Sequence, residues 1–249
     1  QTIELYGYSG VSLPDEVTER IKNKFDHFRN IKELNNRQAA DLIETDKIDI
    51  LVDLTGHVGD VSLPILSYKP APIQVTYCGY PDTTGMKQID YRFTDNLADL
   101  PQAQKFYTEK LIYLPEGFLC YRPFEFAPEI SVLPAKTNGF ITFGSFNHLA
   151  KINPVIIGLW SQILKHMPNS HLILKVKGGQ EKEIQDYCLG LFKPYGIEPE
   201  RIEIFGWLPQ IEHFGLYGRI DIALDTYPYN GTTTTCEALW MGVPVISLV

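Results

Sequence analysis

The chain has 249 residues, of which 44% are hydrophobic, and carries a formal net charge of −8. This length and apolar content suffice for one large packed domain or two smaller ones. The acidic balance disfavours a broad nucleic-acid-binding surface. No apolar run approaches the roughly 20 residues of a membrane helix, so no membrane association is expected. The four cysteines show no C-x-x-C spacing, which favours reduced thiols in a cytoplasmic protein over zinc or disulfides.

The first half of the sequence alternates strand and helix patterns loosely. Strands are predicted at residues 2–8, 49–54, 73–77 and 91–95, and helices at residues 14–28 and 37–45. A proline-rich stretch at residues 115–138 is predicted to be a linker. We therefore expect an N-terminal half at residues 1–135 and a C-terminal half at residues 136–249.

The second half alternates more regularly. Strands are predicted at residues 139–143, 171–176, 201–205, 221–224 and 243–248, and helices at residues 154–166, 181–195, 210–217 and 233–241. This alternation predicts a doubly wound parallel sheet, whose ligands bind beyond the carboxyl ends of the strands. Because the sequence starts at Gln1 and ends with a predicted strand, we expect a fragment in which both halves are incomplete.

The most informative segment follows the predicted strand at residues 221–224. It contains Gly231, four consecutive threonines at residues 232–235, and Glu237. A glycine turn before a hydroxyl-rich helix start offers free N–H groups and the positive end of the helix dipole to an anion. Glu237, one turn into the helix, is placed to accept hydrogen bonds from a ribose diol. The segment predicts a sugar-nucleotide site, although threonine is also an ordinary helix cap.

Two other strand-to-helix connections of the second half carry candidate ligand-binding side chains. His148 and Lys151 precede the helix at residues 154–166. Lysine neutralises a diphosphate as a point charge, and histidine donates to phosphate or sugar oxygens. His213 lies near the start of the helix at residues 210–217, where an imidazole can contact a nucleobase. A lone histidine on such a helix also has structural roles, so both interpretations stay open.

The first half offers one candidate catalytic side chain. His57 follows a predicted strand, in a glycine-containing loop at residues 53–60. A histidine there is a candidate acid, base or hydrogen-bond donor, and the alternative is a structural role in a turn. A second glycine-rich loop at residues 79–85 is weaker evidence, since its residue pairs are ordinary turn chemistry. Asp221 and Asp225 bracket a strand and do not form a D-x-D motif, so a metal site is not favoured.

Several segments, in one order, resemble the catalytic region of the O-GlcNAc transferase and SPINDLY family, glycosyltransferase family 41. They are residues 53–57, 69–75, 79–85, 90–91, 142–152 and 224–237. The resemblance implies an α/β fold of GT-B type, with two Rossmann-like domains and the donor nucleotide on the second. It also implies inverting transfer of a sugar to Ser or Thr of acceptor proteins, without a metal or other cofactor. Tetratricopeptide repeats are implied in the full-length chain.

The resemblance also assigns roles to individual residues. Lys151 matches the lysine on the donor diphosphate, and His148 takes the place of a glutamine beside it. His213 matches a histidine at the base and ribose, and Glu237 matches an acidic ribose ligand. The phosphate-binding helix start is matched by Thr232, Thr233 and Thr234. We take Lys151 and His57 as the candidate catalytic residues.

The donor and the general base stay open. Thr232 stands where animal O-GlcNAc transferases have a histidine, and Gln210 where they have a lysine. Plant SPINDLY proteins use GDP-fucose, which leaves the donor open: UDP-GlcNAc is the favoured donor, and GDP-fucose is the alternative. The family's upstream catalytic histidine is absent from this sequence, and His57 and Asp46 are the nearby substitutes. A non-catalytic fragment that binds nucleotide or protein is the remaining hypothesis.

Overall fold

A computed structural model describes residues 3–58 and 62–248. The chain divides into two compact units, Gln1–Cys120 and Tyr121–Val249. The sequence placed residues 121–135 in the N-terminal half, whereas in the structure they group with the second unit. Two hydrogen bonds join the end of this stretch to the rest of that unit. Ser131 Oγ donates to Gly218 O at 3.2 Å, and Ala135 N donates to Asp221 Oδ1 at 2.8 Å.

The first unit is built on two sets of parallel strands. Its strands are β1 Tyr6–Ser9, β2 His27–Asn30, β3 Ile50–Asp53, β4 Ile73–Thr76, β5 Tyr91–Thr94 and β6 Lys110–Tyr113. Its helices are α1 Glu16–Lys22, α2 Asn36–Thr45 and α3 Ser62–Leu66, with 3-10 turns at Gly56–Val58 and Pro101–Phe106. Strands β1 and β2 pair with each other, and β3, β4, β5 and β6 form a four-stranded sheet in that order. The carboxyl ends of these four strands therefore share one edge.

Helix α1 is shorter than its helical spacing predicts. The pattern suggested a helix to Phe28, but α1 ends at Lys22, and β2 begins at His27. In the parallel pair, Phe28 lies opposite Gly7 of β1. A side chain at Gly7 would come within 2.9 Å of the Phe28 ring. Phe25 and Phe28, beyond the end of α1, thus pack on a glycine of β1, and the prediction of one long helix was wrong.

The second unit contains a five-stranded parallel sheet covered on both faces. Its strands are β7 Thr142–Ser145, β8 His171–Lys175, β9 Ile202–Phe205, β10 Ile222–Leu224 and β11 Val245–Ile246. Its helices are α4 Pro134–Asn138, α5 Pro154–His166, α6 Lys182–Phe192, α7 Gln210–Tyr217 and α8 Thr233–Trp240. The strand order is β11-β10-β7-β8-β9. This confirms the predicted doubly wound α/β arrangement with parallel sheets.

The strand order reverses between β7 and β10. From β7 the chain moves outward through β8 and β9, then returns to β10 on the other side of β7. Ligands of doubly wound sheets bind at such a reversal, beyond the carboxyl ends of the strands. The two faces have separate cores: Trp160 of α5 and Phe192 of α6 belong to one, and Phe214 of α7 and Ala238 of α8 to the other. The two cores hold the sheet, and with it the carboxyl ends of β7 and β10, in place.

The termini of the predicted elements differ only modestly from the observed ones elsewhere. Helices α5 and α7 span the predicted residues, whereas β6 and α3 were not predicted. The predicted linker contains α4, and residues 114–133 before it contain neither helix nor strand. Residue 2, where the first predicted strand begins, lies outside the described residues. Residues 59–60, the end of the His57 loop, also lie outside them. No helix in the described ranges is both long and apolar enough to cross a membrane.

Candidate functional site

Lys151 presents a fixed positive charge at the reversal of strand order. It is the last residue of a 3-10 turn, Leu149–Lys151. His148 caps the start of this turn, because its Nδ1 accepts a hydrogen bond from Ala150 N at 3.2 Å. Lys151 Nζ donates to Asn230 O at 2.9 Å and lies 3.9 Å from the centroid of the Tyr229 ring. Burial lowers the pKa of Lys151, and the Asp225 carboxylate acts in the opposite direction. The ammonium is therefore held against the loop that leads into α8.

Asp225 organises that loop, a role that the sequence interpretation missed. Only 7% of its surface is exposed. Its oxygens accept from Thr226 N at 2.8 Å, Gly231 N at 2.7 Å, Asn230 Nδ2 at 3.2 Å and Ser247 Oγ at 2.9 Å. One carboxylate thus gathers both ends of the loop and fixes the turn before the helix. The available signal was an aspartate at the carboxyl end of a predicted strand, six residues before Gly231.

The threonine-rich segment forms the predicted helix start. Thr232 is the N-cap residue of α8, and its side chain makes no capping hydrogen bond. Cys236 N donates to Thr232 O at 3.0 Å, so the amides of Thr233, Thr234 and Thr235 precede the first helical hydrogen bond. Thr232 and Thr233 are exposed. Unbonded amides and exposed hydroxyls at the positive end of a helix are the groups that anions bind in proteins.

Asn147 joins the Lys151 connection to this helix start. Its side chain, 6% exposed, donates from Nδ2 to Asp225 Oδ1 at 3.4 Å. Its Oδ1 accepts from Thr234 Oγ1 at 3.2 Å. The hydroxyl of Thr234 therefore has an internal partner, and the phosphate-binding role of the three threonines stays a prediction. The helix start and the carboxyl end of β7 are tied into one rigid arrangement.

His213 and Glu237, predicted to face the same nucleoside, contact each other. His213 Nε2 lies 3.0 Å from Glu237 Oε2, and 15% of each side chain is exposed. Tyr217 Oη donates to the same Oε2 at 3.1 Å. Because the carboxylate accepts, Nε2 of a neutral His213 carries the proton, and the imidazole acts as a donor. Burial, and then the nearby Glu237, raises the pKa of Tyr217, so its hydroxyl stays protonated.

Lys175 adds a cation to this cluster that the sequence did not single out. It is the last residue of β8. Alternation along the strand puts it on the same face as Ile173, which packs in the core formed with α7 and α8. Burial lowers the pKa of Lys175, and Glu237 opposes that shift. Its position at the carboxyl end of a predicted strand was the signal that could have identified it.

His57 lies at the carboxyl edge of the first unit's sheet. It sits in the 3-10 turn after β3, where Asp53 accepts from Gly56 N at 2.9 Å. Its Nε2 lies 3.0 Å from Thr84 O, and its ring meets the edge of Tyr80 with centroids 5.0 Å apart. The imidazole is exposed, and its orientation is set by the loop that contains Tyr80 and Thr84.

Asp46, the other candidate base, is bound in an ion pair. Arg29 Nη2 lies 3.0 Å from Asp46 Oδ1, and Tyr8 Oη donates to Oδ2 at 2.9 Å. The hydrogen bond from Arg29 lowers the pKa of Asp46, which makes it a weak proton acceptor.

Among residues 3–58 and 62–248, no group of three or more His, Cys, Asp and Glu side chains is placed to hold a metal ion.

The fold defines an α/β protein whose candidate site lies where the strand order of a parallel sheet reverses. The model of glycosyl transferase family 41 matches residues 1–125 and 131–249. The chain therefore belongs to glycosyl transferase family 41, and the predicted family is confirmed.

Relatives and a solved structure agree with this assignment. The chain is 46% identical over 249 residues to "Probable UDP-N-acetylglucosamine--peptide N-acetylglucosaminyltransferase SPINDLY" of Oryza sativa subsp. japonica, covering 97% of this chain and 26% of that protein. It is 33% identical to the Arabidopsis thaliana protein of the same description named SEC, covering 100% of this chain and 26% of that protein. A mutant of Thermobaculum terrenum O-GlcNAc transferase superposes with a TM-score of 0.92 at 36% identity, covering 98% of this chain and 46% of that chain. The chain thus spans about a quarter of the length of these curated relatives.

Proposed function

We propose that the second unit binds a nucleotide sugar and that the protein transfers the sugar, with inversion, to serine or threonine hydroxyls of acceptor proteins. The observation that carries the proposal is the placement of Lys151 beside the α8 helix start. Its ammonium is fixed by Asn230 O at 2.9 Å, next to amides that have no helical partner. The family membership and the relatives' names support the reaction class.

The chemistry follows from where charge develops. As the bond between the sugar and the diphosphate breaks, the leaving nucleoside diphosphate takes the electron pair and becomes more negative. A preorganised ammonium and helix start stabilise that charge without reorganising during the reaction. Lys151 and the amides of α8 then supply the positive charge that a divalent ion provides in metal-dependent transferases. We therefore propose a reaction without a metal or other cofactor.

The nucleoside end is assigned to the cluster around Glu237. The bonds from His213 and Tyr217 converge on Oε2, which orients the carboxylate and leaves Oε1 as the proposed acceptor for a ribose hydroxyl. The side chain of His213 packs against Phe146, with ring centroids 5.8 Å apart. His213 is thus held at the edge of the proposed base pocket. His148, which caps the Lys151 turn, is exposed and is assigned to the phosphate or sugar oxygens.

UDP-GlcNAc is the proposed donor, and GDP-fucose is the second candidate. The names of the rice and Arabidopsis relatives favour a UDP-GlcNAc donor. The threonine at position 232 and the glutamine at position 210, which distinguish this chain from animal O-GlcNAc transferases, favour GDP-fucose. Protein acceptors, a cytoplasmic location and tetratricopeptide repeats in the full-length chain stay predictions.

Calorimetric titration of the full chain with UDP, UDP-GlcNAc, GDP and GDP-fucose tests the proposal. We expect one nucleotide and its sugar to bind at least tenfold more tightly than the other pair, which is about 1.4 kcal/mol. Binding of none of the four would contradict the proposed function. Binding without transfer to a serine-containing or threonine-containing peptide would instead favour a non-catalytic binding module.

A further inference from the structure

One loop of the first unit holds His57 on two sides. This loop, residues 80–85, follows β4 and is called the 80–85 loop below. Thr84 O accepts the hydrogen bond from His57 Nε2, and the Tyr80 ring contacts the imidazole edge-on. Gly56, next to His57, has φ of +54°, and a side chain there would come within 2.5 Å of Tyr80 Cβ. The turn and the loop therefore pack too closely for either to move alone.

A buried carboxylate fixes the end of the loop nearest His57. Glu109, which immediately precedes β6, has 0% of its surface exposed. It accepts from Thr84 N at 2.8 Å, from Thr84 Oγ1 at a shorter distance, and from Thr83 Oγ1 at 2.7 Å. Burial alone raises the pKa of Glu109, but the bonds from Thr83 and Thr84 outweigh it and leave the pKa below its ordinary value. The carboxylate is therefore ionised when it holds the loop.

A buried guanidinium fixes the other end. Arg92 of β5, 2% exposed, donates from Nη1 to Tyr80 O at 2.7 Å and to Asp82 O at 3.4 Å. Buried charges are costly unless they are paired and hydrogen-bonded. Two buried charges, Glu109 and Arg92, bond to this one short loop. We take this to indicate that the position of the loop backbone matters for more than connecting two strands.

The contact with Thr84 also determines the tautomer of His57. A backbone carbonyl only accepts hydrogen bonds, so Nε2 carries the proton. In the neutral imidazole, the lone pair is then on Nδ1. Catalytic and metal-binding histidines are commonly fixed in this way by a bond to the opposite ring nitrogen.

We propose that Glu109 is a positioning residue, which acts through Thr84 to hold His57 with Nδ1 as the proton acceptor for the attacking hydroxyl. This inference rests on the proposed function. The hydroxyl oxygen forms the new bond to the anomeric carbon, and its proton passes to His57 Nδ1. The bond between the sugar and the phosphate breaks, and its electron pair leaves with the nucleoside diphosphate.

Nitrogen-15 NMR of the histidine-labelled full chain tests the tautomer directly, without any activity. The chain has six histidines, and the signals lost in His57→Gln identify the pair that belongs to His57. We expect the Nε2–H tautomer to predominate near neutral pH, and Glu109→Gln or Thr84→Val to convert it to a mixture. Thr84→Ser, which keeps the hydroxyl, should retain the wild-type tautomer. A wild-type His57 with the proton on Nδ1 would overturn the proposal, as would an unchanged tautomer in both disruptive variants.

Kinetics then separate positioning from general stability. Because small displacements of a catalytic group cost up to about a hundredfold in rate, Glu109→Gln should lower kcat roughly tenfold to a hundredfold. UDP and GDP affinities should not change. Glu203→Gln, at an exposed carboxylate of the second unit, is the matched control with unchanged kcat. Unchanged kcat in Glu109→Gln with intact nucleotide binding would refute this inference alone, whereas no nucleotide binding by the wild type would refute the proposed function.

Discussion

Lys151 donates to Asn230 O and His57 to Thr84 O, and the two loops that contain these acceptors are held in place by different means. In the second unit, Asp225 holds the loop that it begins, and its partners Thr226 and Gly231 are close in sequence. In the first unit, Arg92 of β5 and Glu109, immediately before β6, reach the 80–85 loop from later in the sequence. Both loops are rigid because buried charges bond to their backbone. The backbone bonds of the Asp225 arrangement are local in sequence and those of the Glu109 and Arg92 arrangement are tertiary, so the two should respond differently to mutation.

The largest expected effect is on the tertiary arrangement. In the wild type, Arg92 Nε lies 3.7 Å from the buried Asp99 carboxylate. Arg92→Met removes this ion pair and also the bonds from Arg92 to the 80–85 loop. Breaking a buried pair in this way costs about 3–5 kcal/mol of unfolding free energy, measured by urea titration. Arg219→Met, in a half-exposed pair with Glu203, is the control and should cost less than about 1 kcal/mol. Equal losses in the two variants would show that burial of Arg92 does not stabilise the unit.

The second effect is on binding at the local arrangement. Lys151→Met removes a charge-assisted bond to the proposed diphosphate and should weaken UDP or GDP binding by about 1.5–3 kcal/mol. Lys182→Met, in an exposed pair with Asp186, should leave the calorimetric affinity unchanged. An affinity that survives Lys151→Met would remove Lys151 from the site.

A smaller effect is expected at the nucleoside end. Glu237→Gln keeps the shape of the side chain but weakens the proposed bond to the ribose, by about 1 kcal/mol. The loss should appear for UDP or GDP and not for inorganic diphosphate, which has no ribose. A parallel loss for inorganic diphosphate would place Glu237 at the phosphates instead.

The smallest effect concerns pH. The folded-state pKa of Glu109 lies below its ordinary value of 4.5, so its contribution to stability is present above that pH and is lost as the pH falls toward the folded-state pKa. Acid unfolding should therefore depend less steeply on pH in Glu109→Gln, because that variant cannot titrate. Identical pH dependence in the two proteins would show that Glu109 does not stabilise the loop as a carboxylate.

The sequence predicted those features, such as helix starts, that are determined by residues close together in the chain. Asn153 and Pro154 marked the start of α5, and Asn153 Oδ1 caps it by accepting from Val155 N at 3.0 Å. The glycine and threonines before α8 predicted its start in the same way. The spacing of these elements was enough to predict the doubly wound sheet, and the resemblance was enough to predict the family.

Tertiary partners were beyond such signals. Glu109 bonds to residues 25 and 26 positions away, and nothing near it in the sequence marks a buried carboxylate. Lys175 gains its place from the packing of β8 under α7. Phe25 and Phe28 have helical spacing, yet they pack on Gly7, which only the pairing of β1 with β2 reveals. The roles of His213, Glu237 and the threonines stay predictions, although the structure brings the first two to 3.0 Å.

The bond from Ser247 to Asp225, at 2.9 Å, links the loop between β10 and α8 to the residue just after edge strand β11. Any ligand that favours the ordered loop must favour the ordered edge by the same free energy, and the reverse also holds. Nucleotide bound at the proposed site should therefore slow amide hydrogen exchange at Val245 and Ile246. Conversely, a substitution that disorders β11 should weaken nucleotide binding at the proposed site, because Asp225 N also donates to Ile246 O at 2.9 Å.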